Sequence, residues 1–459
     1  MPSGLRRSSD AQFTVMNKQT LLTLILSIAC LLLVSCIGAP IQHTSTRLYE
    51  PSPEAVKGDL HIWSWNIAAE ALKVITPAYQ AGHPHVKVDV DMTGADMTMR
   101  FMLSLAAGTG APDVSQLQMS DVPHYIATGC LADLTPVAAK YKNSFPPSLW
   151  DTCVSHGKIY AIPWDMGPCA VFYKRAIFAK YGIDPASIKT WGDFINVGQR
   201  IYKSSGGKTK MMPLSAGDIA GFYEIVLQET GGQVFDDQGR IAINSPQSKA
   251  ALDVVRKLLL SGICLNVSSY SPEWIAGMND DSVATYPGAV WLGGMMEDSV
   301  TDGPGKNHVF GVFQLPAVTP GGLRVANDGG SVLVIPEQSK QQAAGWSFIE
   351  YALCTEAGQN AQFTTKDLFP SYLPAMKGPI VSAREPFYGD QRAGALFATD
   401  VDKIPHTNMT AQWQEASDYI YQDLTHWQAT GMNDPDVLKN LAKQLSQRLD
   451  VPIAPGGRK

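Results

Sequence analysis

The stretch GDLHIWSW, residues 58 to 65, decides the fold class, because polar and apolar side chains alternate along it. Alternation with a period of two indicates a half-buried β-strand. A helical stretch follows from about residue 68 to 81, then the alternating HVKVDVDM (85 to 92) and the helix-spaced DMTMRFMLSLAAG (96 to 108). With APDVSQLQ (111 to 118) as a third strand, this order predicts an α/β fold in which helices cover a parallel sheet.

Length and composition predict a folded body of more than one domain. The chain has 459 residues, of which 45% are hydrophobic and 17% charged, and its formal net charge is −6. Single hydrophobic cores stop growing at roughly 250 to 300 residues, so two or three domain-sized bodies are expected. The acidic balance disfavours nucleic acid as a partner, because such binding needs basic patches.

The N-terminal segment is typical of an export signal. Residues 21 to 35 carry no charge and follow Lys18. A run of about 15 residues is too short to span a bilayer but suits the apolar part of a signal peptide. A buried helix is the alternative, although it would need a polar face that residues 21 to 33 lack.

The sequence LVSC, residues 33 to 36, resembles the lipobox of bacterial lipoproteins. That resemblance implies that residues 1 to 35 are removed and that Cys36 carries a lipid anchor. Residues 36 to 58 would then form a tether from the outer face of the cytoplasmic membrane, extracellular or periplasmic. Translation could start at Met1 or at Met16, where an apparently complete signal begins.

The remaining cysteines are odd in number, and they are Cys130, Cys153, Cys169, Cys264 and Cys354. An exported chain can oxidise nearby pairs, so Cys130 and Cys153 form a possible disulfide. No cysteine or histidine group has the spacing of a zinc site, and no metal or other cofactor is expected.

A family resemblance is carried by GKIYAIPWDMGPCAVFYKRAIFAKYGI, residues 157 to 183. The segments GDLHIWSW, GTGAPDV, GCLADLTP, KTWGDF, ETGG, VATYPGAVWLGGM and DGGSVLVIP occur around it in the family's order. Together they resemble family 1 extracellular solute-binding proteins, the maltose-binding-like receptors of ATP-driven sugar importers. The resemblance covers nearly all of residues 58 to 450.

This resemblance implies a two-lobe clamp of the periplasmic-binding-protein type, with crossing hinge segments and a ligand cleft between the lobes. The N-lobe would hold residues 59 to 164 plus 326 to 373, and the C-lobe residues 165 to 325 plus 374 to 459. A monomer would capture a carbohydrate, close around it by hinge rotation, and deliver it to the permease subunits of an ABC transporter.

Candidate cleft residues follow from the chemistry of a sugar, which offers flat C–H faces to aromatic rings and hydroxyls to carboxylates and amides. Trp65 and Asn66 end the first strand, and ligands of open α/β sheets bind beyond strand ends. Asp121 follows the third strand at the same edge. The alternatives are a core position for Trp65 and a helix cap for Asp121.

Trp164 and Asp165 follow KIYAIP (158 to 163) and are expected at the hinge floor. Asp328 precedes a strand that would return to the N-lobe, although Asp-Gly-Gly is also typical of a turn.

The resemblance places sugar-stacking aromatic residues at Phe222 and Tyr223 and at Trp291, with Tyr286 nearby. Trp413 aligns loosely with another aromatic platform of the maltose-binding-like clamps. Helix packing is the alternative for Phe222 and Tyr223, and a buried helical stripe is the alternative for Trp413.

Rival functions are an enzyme and a clamp with another cargo. SSGGKT (204 to 209) lacks the first glycine of a phosphate-binding loop, and neither G-x-S-x-G nor HExxH occurs, so no enzymatic activity is expected. The alternative cargoes for the clamp are a glycerophosphodiester, which would need arginines, and a polyamine, which suits aromatic residues with aspartates.

Overall fold

The computed structural model describes residue 52 and residues 54 to 94, 96 to 301 and 309 to 455. The expected signal peptide, Cys36 and all but the last part of the expected tether lie outside this range. None of the described helices combines the length and the apolar character needed to cross a bilayer.

The described strands and helices alternate from β1 to β3, and only helices follow β12. The strands are β1 (Gly58–Trp65), β2 (Val86–Thr93), β3 (Val114–Gln118), β4 (Val154–Ser155), β5 (Lys158–Ile159), β6 (Ala161–Pro163), β7 (Cys169–Lys174), β8 (Met212–Pro213), β9 (Cys264–Leu265), β10 (Thr285–Ala289), β11 (Phe310–Gln314) and β12 (Ser331–Val334). The helices are α1 (Asn66–Gly82), α2 (Met97–Ala107), α3 (Val122–Thr128), α4 (Thr135–Ala138), α5 (Pro147–Trp150), α6 (Arg175–Lys180), α7 (Trp191–Ser204), α8 (Ile219–Glu229), α9 (Pro246–Leu260), α10 (Pro272–Asn279), α11 (Leu292–Ser299), α12 (Gln342–Leu353), α13 (Glu356–Lys366), α14 (Leu373–Met376), α15 (Ala393–Ala398), α16 (Trp413–Ala429) and α17 (Val437–Leu449).

The N-lobe is built around a five-stranded sheet with the order β2-β1-β3-β12-β6. β1 runs parallel to β2 and β3, as the order strand–helix–strand predicts, and its inward side chains Leu60 and Ile62 are fully buried. β12 is antiparallel to both β3 and β6, which corrects the expectation of a wholly parallel sheet. The direction is reversed because β6 leaves towards the other lobe and β12 returns from it.

The C-lobe is built around a three-stranded antiparallel sheet with the order β10-β7-β11. Its core includes Trp191, Phe235 and one face of α16. α7 begins at a capping box, in which the Thr190 hydroxyl accepts from the Asp193 N–H and the Asp193 carboxylate accepts from the Thr190 N–H. Such reciprocal caps satisfy N–H groups that a helix start otherwise leaves unpaired.

Three segments cross between the lobes side by side. Residues 164 to 168 connect β6 to β7, residues 326 to 330 lead into β12, and residues 368 to 372 lie between α13 and α14. Isolated bridges pair Asp165 with Pro370 and Pro168 with Asn327. The fold is therefore a two-lobe α/β clamp, as expected from the sequence.

The cysteines of the described residues are all free thiols. Cys153 is fully buried, and burial raises the pKa of its thiol well above the ordinary range. Cys130 is partly exposed and unpaired. The expectation of a disulfide between Cys130 and Cys153 is corrected accordingly: closeness in sequence did not bring about a bond.

Candidate ligand-binding cleft

A cavity of about 790 Å³ lies between the lobes, next to the crossing segments. Its N-lobe wall includes Trp65 and Asn66, and its C-lobe wall includes Trp291 and Trp413. Small-molecule sites are commonly about 300 to 1,000 Å³ in volume, so the cavity has room for such a ligand.

Asp165 joins the cavity floor to the N-lobe sheet. Its carboxylate accepts hydrogen bonds from the backbone N–H of Ser331 at 2.8 Å and from the Ser331 hydroxyl at 2.6 Å. Burial raises the pKa of Asp165, and the two hydrogen bonds from Ser331 oppose that rise. The carboxylate lines the cavity but is already engaged, so it holds two crossing segments together at the floor.

The crossing segments are also joined through Gly167 and Asp328. The Asp328 N–H donates to the Gly167 carbonyl at 2.8 Å, and the Gly167 N–H donates to Asn327 Oδ1 at 2.9 Å. A Cβ added at Gly167 would lie 1.9 Å from the carbonyl oxygen of Asp328. Only glycine allows the two backbones to approach this closely.

Asn327 is also held from the C-lobe. Gln228 of α8 donates to its carbonyl at 2.8 Å and accepts from its N–H at 2.9 Å. The side chain of Gln228 thus fixes the backbone next to Asp328 and lines the cavity itself.

Two carboxylates of the cavity wall are Glu224, on α8 of the C-lobe, and Asp328, on a crossing segment. Neither accepts a hydrogen bond from any residue that the structure describes. Burial raises the pKa of Asp328 to about 6. Burial, followed by the negative charge of Asp328, raises the pKa of Glu224 to about 7. Two unpaired acceptors facing one cavity are suited to hydrogen-bond donors on a ligand.

The charged side chains that the structure describes in the cavity wall are all of one sign. Among the described residues that line it, Asp165, Glu224, Asp298 and Asp328 are acidic, and none is lysine, arginine or histidine.

A glutamine network supports the N-lobe wall. Gln116 Oε1 accepts from the Ser64 hydroxyl at 2.6 Å and from the Trp65 N–H at 3.2 Å, and its Nε2 donates to the Ser331 hydroxyl at 2.9 Å. This network joins the ends of β1, β3 and β12. It thereby fixes the position of Trp65 at the cavity.

Six of the sequence-predicted residues line the cavity, and they are Trp65, Asn66, Asp165, Trp291, Asp328 and Trp413. Asn66 is exposed and adopts φ 46°, a left-handed conformation that asparagine tolerates. Trp413 is 7% exposed and also packs in the C-lobe core, so the cavity and core interpretations both apply to it.

The other five predicted residues do not line the cavity, and the expectation is corrected for them. Trp164 is 1% exposed, and its indole N–H donates to Gln362 at 2.7 Å, because it faces the N-lobe core while Asp165 faces the cavity. Asp121 ends the 3-10 turn Met119–Asp121 and leaves Met119 and Ser120 at the wall. It makes no side-chain capping hydrogen bond to α3 either.

Phe222, Tyr223 and Tyr286 are buried in the protein interior. The first two lie inside α8, and Phe222 packs edge to face on Trp191 with ring centroids 5.3 Å apart. Tyr286 of β10 is 1% exposed and donates its hydroxyl to the Trp274 carbonyl at 3.3 Å.

The sequence interpretation missed the cavity face of α8. Gly221, Glu224 and Gln228 all line the cavity. Their spacing of three and four residues places them on one side of the helix. A charged residue within the largely apolar IAGFYEIVLQE was the available signal.

Two α/β lobes joined by three crossing segments beside a cavity define the class of two-lobe solute-binding clamps. The comparison with known families identifies the family, because residues 64 to 359 match the model for the bacterial extracellular solute-binding proteins. Because the match covers more than half of the chain, the protein belongs to this family.

Relatives named for sugar binding are similar over most of the chain. The arabinooligosaccharide-binding protein of Bacillus subtilis (strain 168) is 25% identical over 352 residues, which cover 75% of this chain and 78% of that protein. The lactose-binding protein of Rhizobium radiobacter is 26% identical over 378 residues, covering 78% and 85%. The binding protein from B. animalis subsp. lactis Bl-04 in complex with β-1,6-galactobiose superposes with a TM-score of 0.71 at 25% identity, covering 87% of this chain and 100% of that one.

Proposed function

We propose that the protein is the carbohydrate receptor of an ABC importer. It captures a sugar, in particular an oligosaccharide, in the interlobe cavity, closes around it by hinge rotation, and delivers it to the permease. Relatives named for arabinooligosaccharide and lactose binding, and a structural neighbour that holds a galactobiose, support this proposal.

The arrangement of aromatic and polar side chains is the observation that carries the proposal. Trp65 approaches the cavity from the N-lobe, and Trp291 and Trp413 approach it from the C-lobe. Indole rings cover the C–H faces of a sugar with little loss of side-chain freedom. Glu224 and Asp328 then accept hydrogen bonds from hydroxyl groups on the rim of the ring.

The charge of the cavity wall distinguishes between the candidate ligands other than a sugar. A glycerophosphodiester carries a negative charge, and the described cavity wall offers no cation to bind it while supplying four acidic residues that repel it. A polyamine remains the second candidate, because unpaired carboxylates beside tryptophans also suit an ammonium group.

A thermal-shift screen with maltose, xylobiose, lactose, spermidine and a glycerophosphodiester tests the proposal. A ligand that binds only the folded protein stabilises it by about 2.7 kcal/mol at 100 times its Kd. We expect a rise in Tm with at least one saccharide and none with the glycerophosphodiester. A rise with spermidine alone would replace the sugar by a polyamine.

The residues at the cavity bind rather than react, and we expect no turnover of any saccharide. Incubation of the protein with each ligand that raises its Tm, followed by chromatography of the sugars, checks this. A new product that depends on the protein would identify an enzyme instead.

The lobe boundaries and the anchor belong to the same proposal. The N-lobe comprises residues 59 to 164 plus 326 to 373, and the C-lobe residues 165 to 325 plus 374 to 459. Cys36 carries the lipid that holds the monomeric receptor on the outer face of the membrane. Replacing Cys36 by alanine is expected to release the protein from the membrane fraction.

A further inference from the structure

A surface next to the cavity carries two exposed tyrosines. Tyr421 is 48% exposed and Tyr270 is 55% exposed. Among the described Phe, Tyr and Trp residues, the only other exposed side chain is Tyr202, at 37%. Both have neighbours in the 3-10 turn Ala216–Asp218, and exposed apolar groups near one place mark a surface suited to a ligand more strongly than scattered ones do.

Tyr421 continues the cavity wall along α16. Trp413 and Ser417 line the cavity, and Tyr421 follows Ser417 by four residues. Residues four apart on a helix lie on the same face, one turn beyond each other. Tyr421 therefore lies one helical turn beyond Ser417, on the same face of α16 and just outside the residues that line the cavity.

The 3-10 turn Ala216–Asp218 brings the same tyrosine close to α8. A Cβ added at Gly217 would lie 3.6 Å from the Tyr421 hydroxyl oxygen. Thr425, one turn further along α16, donates its hydroxyl to the Ala216 carbonyl at 3.3 Å. These contacts hold α16 against the turn that leads into α8.

Gly221 leaves the wall open between Tyr421 and the cavity. It lines the cavity, it is exposed, and a Cβ at this position would meet no described atom within 4 Å. It lies four residues after Gly217 and three before Glu224. Gly221 thus leaves the face of α8 between Glu224 and the turn beside Tyr421 without a side chain.

Tyr270 directly follows a residue that is hydrogen-bonded to the same turn. The N–H of Ser269 donates to the Asp218 carboxylate at 3.3 Å, and the Tyr270 ring centroid is 5.4 Å from that of Trp274. Its backbone adopts φ 68°, which is rare for a bulky residue and costs conformational energy. The fold therefore presents this exposed ring in a fixed place.

We propose that Tyr421 and Tyr270, beside the turn that holds Gly217 and the start of α8 at Gly221, form an outer subsite that binds a further sugar unit of an oligosaccharide whose first units occupy the cavity. This inference rests on the proposed carbohydrate function. The tyrosine rings cover the sugar faces, and the missing side chain at Gly221 lets the chain pass out of the cavity.

Isothermal titration with one homologous saccharide series, from the disaccharide to the pentasaccharide, tests the outer subsite. The series is that of the sugar with the highest affinity. We expect affinity to increase beyond the length that fills the cavity. Tyr421→Ala should reduce this gain in affinity for the longer saccharides at least tenfold. Tyr421→Phe should keep most of the gain, because the aromatic ring remains. Tyr202→Ala, which removes an exposed tyrosine of α7, is the matched control and should keep the wild-type profile.

The results that would contradict the outer subsite can be told apart from those that would contradict the proposed function. If Tyr421→Ala weakens the disaccharide and the pentasaccharide by the same factor, or if wild-type affinity does not depend on chain length, the outer subsite is wrong while the carbohydrate function stands. If Tyr421→Ala alters transport in a reconstituted importer but no affinity, the surface contacts the permease and the inference is again overturned. If no saccharide of any length binds, the proposed function itself fails.

Discussion

The indole nitrogen of Trp291 donates a hydrogen bond of 3.0 Å to the carbonyl oxygen of Asp328. Trp291 stands at the start of α11 in the C-lobe, whereas Asp328 lies in a segment that crosses to the N-lobe. The contact therefore fixes the orientation of an aromatic ring at the cavity relative to the hinge. A ring that is fixed before the ligand arrives loses little freedom on binding.

Trp291→Ala is expected to weaken sugar binding at least tenfold, which corresponds to about 1.4 kcal/mol. The variant removes the stacking surface, whereas Trp291→Phe retains a ring and loses only the hydrogen bond to Asp328. Titration calorimetry of both variants separates the two contributions, and circular dichroism checks that each is folded. Unchanged affinity in folded Trp291→Ala would exclude this residue from the site.

Glu224→Gln is expected to change how the stability of the ligand-free protein depends on pH. The pKa of Glu224 is raised to about 7 from an ordinary value of 4.5, so the folded state binds more protons than the unfolded state between these values. The stabilisation from this group is complete below about pH 4.5 and is lost as the pH rises through about 7.

Thermal unfolding from about pH 5 to about pH 8 measures this effect. The wild type should lose more stability over this range than Glu224→Gln, because the amide does not titrate. Glu273→Gln, at an exposed position of α10, is the control and should follow the wild type. Identical pH profiles for Glu224→Gln and the wild type would contradict the perturbed pKa.

Gly167→Ala is expected to destabilise the protein by about 1 to 3 kcal/mol, the usual cost of forcing extra atoms into a packed site. The new Cβ would lie 1.9 Å from the Asp328 carbonyl and would push two crossing segments apart. Urea unfolding gives the free energy of unfolding. Gly221→Ala is the matched control, since its Cβ meets no described atom within 4 Å and alanine favours a helix by about 0.5 to 1 kcal/mol. Equal stabilities for the two variants would mean that the crossing tolerates a side chain at Gly167.

The N-lobe sheet was largely predictable from the sequence, because alternation of side chains is a local signal. GDLHIWSW forms β1 over the same residues, Gly58–Trp65, and the next alternating stretch forms β2. The reversed direction of β12 was not predictable in this way. Strand direction depends on where the chain returns after crossing between lobes, and no local pattern records that.

The candidate site was predictable only in part. Trp65 and Asn66 reach the cavity because parallel strands end at one edge of a sheet. Trp164 and Tyr223 are buried instead, since the rotation of a strand or helix about its axis decides which of two neighbouring residues faces the cavity. Glu224 was missed for the same reason, although it shares a helix with two residues that were proposed.

Small-angle X-ray scattering of the protein with and without saccharides tests the central claim most directly. The account predicts that at least one oligosaccharide lowers the radius of gyration of the wild type, and that it does so less effectively in Trp291→Ala at the same concentration. If no saccharide changes the scattering curve while spermidine or another non-sugar solute compacts the protein, the carbohydrate assignment is contradicted.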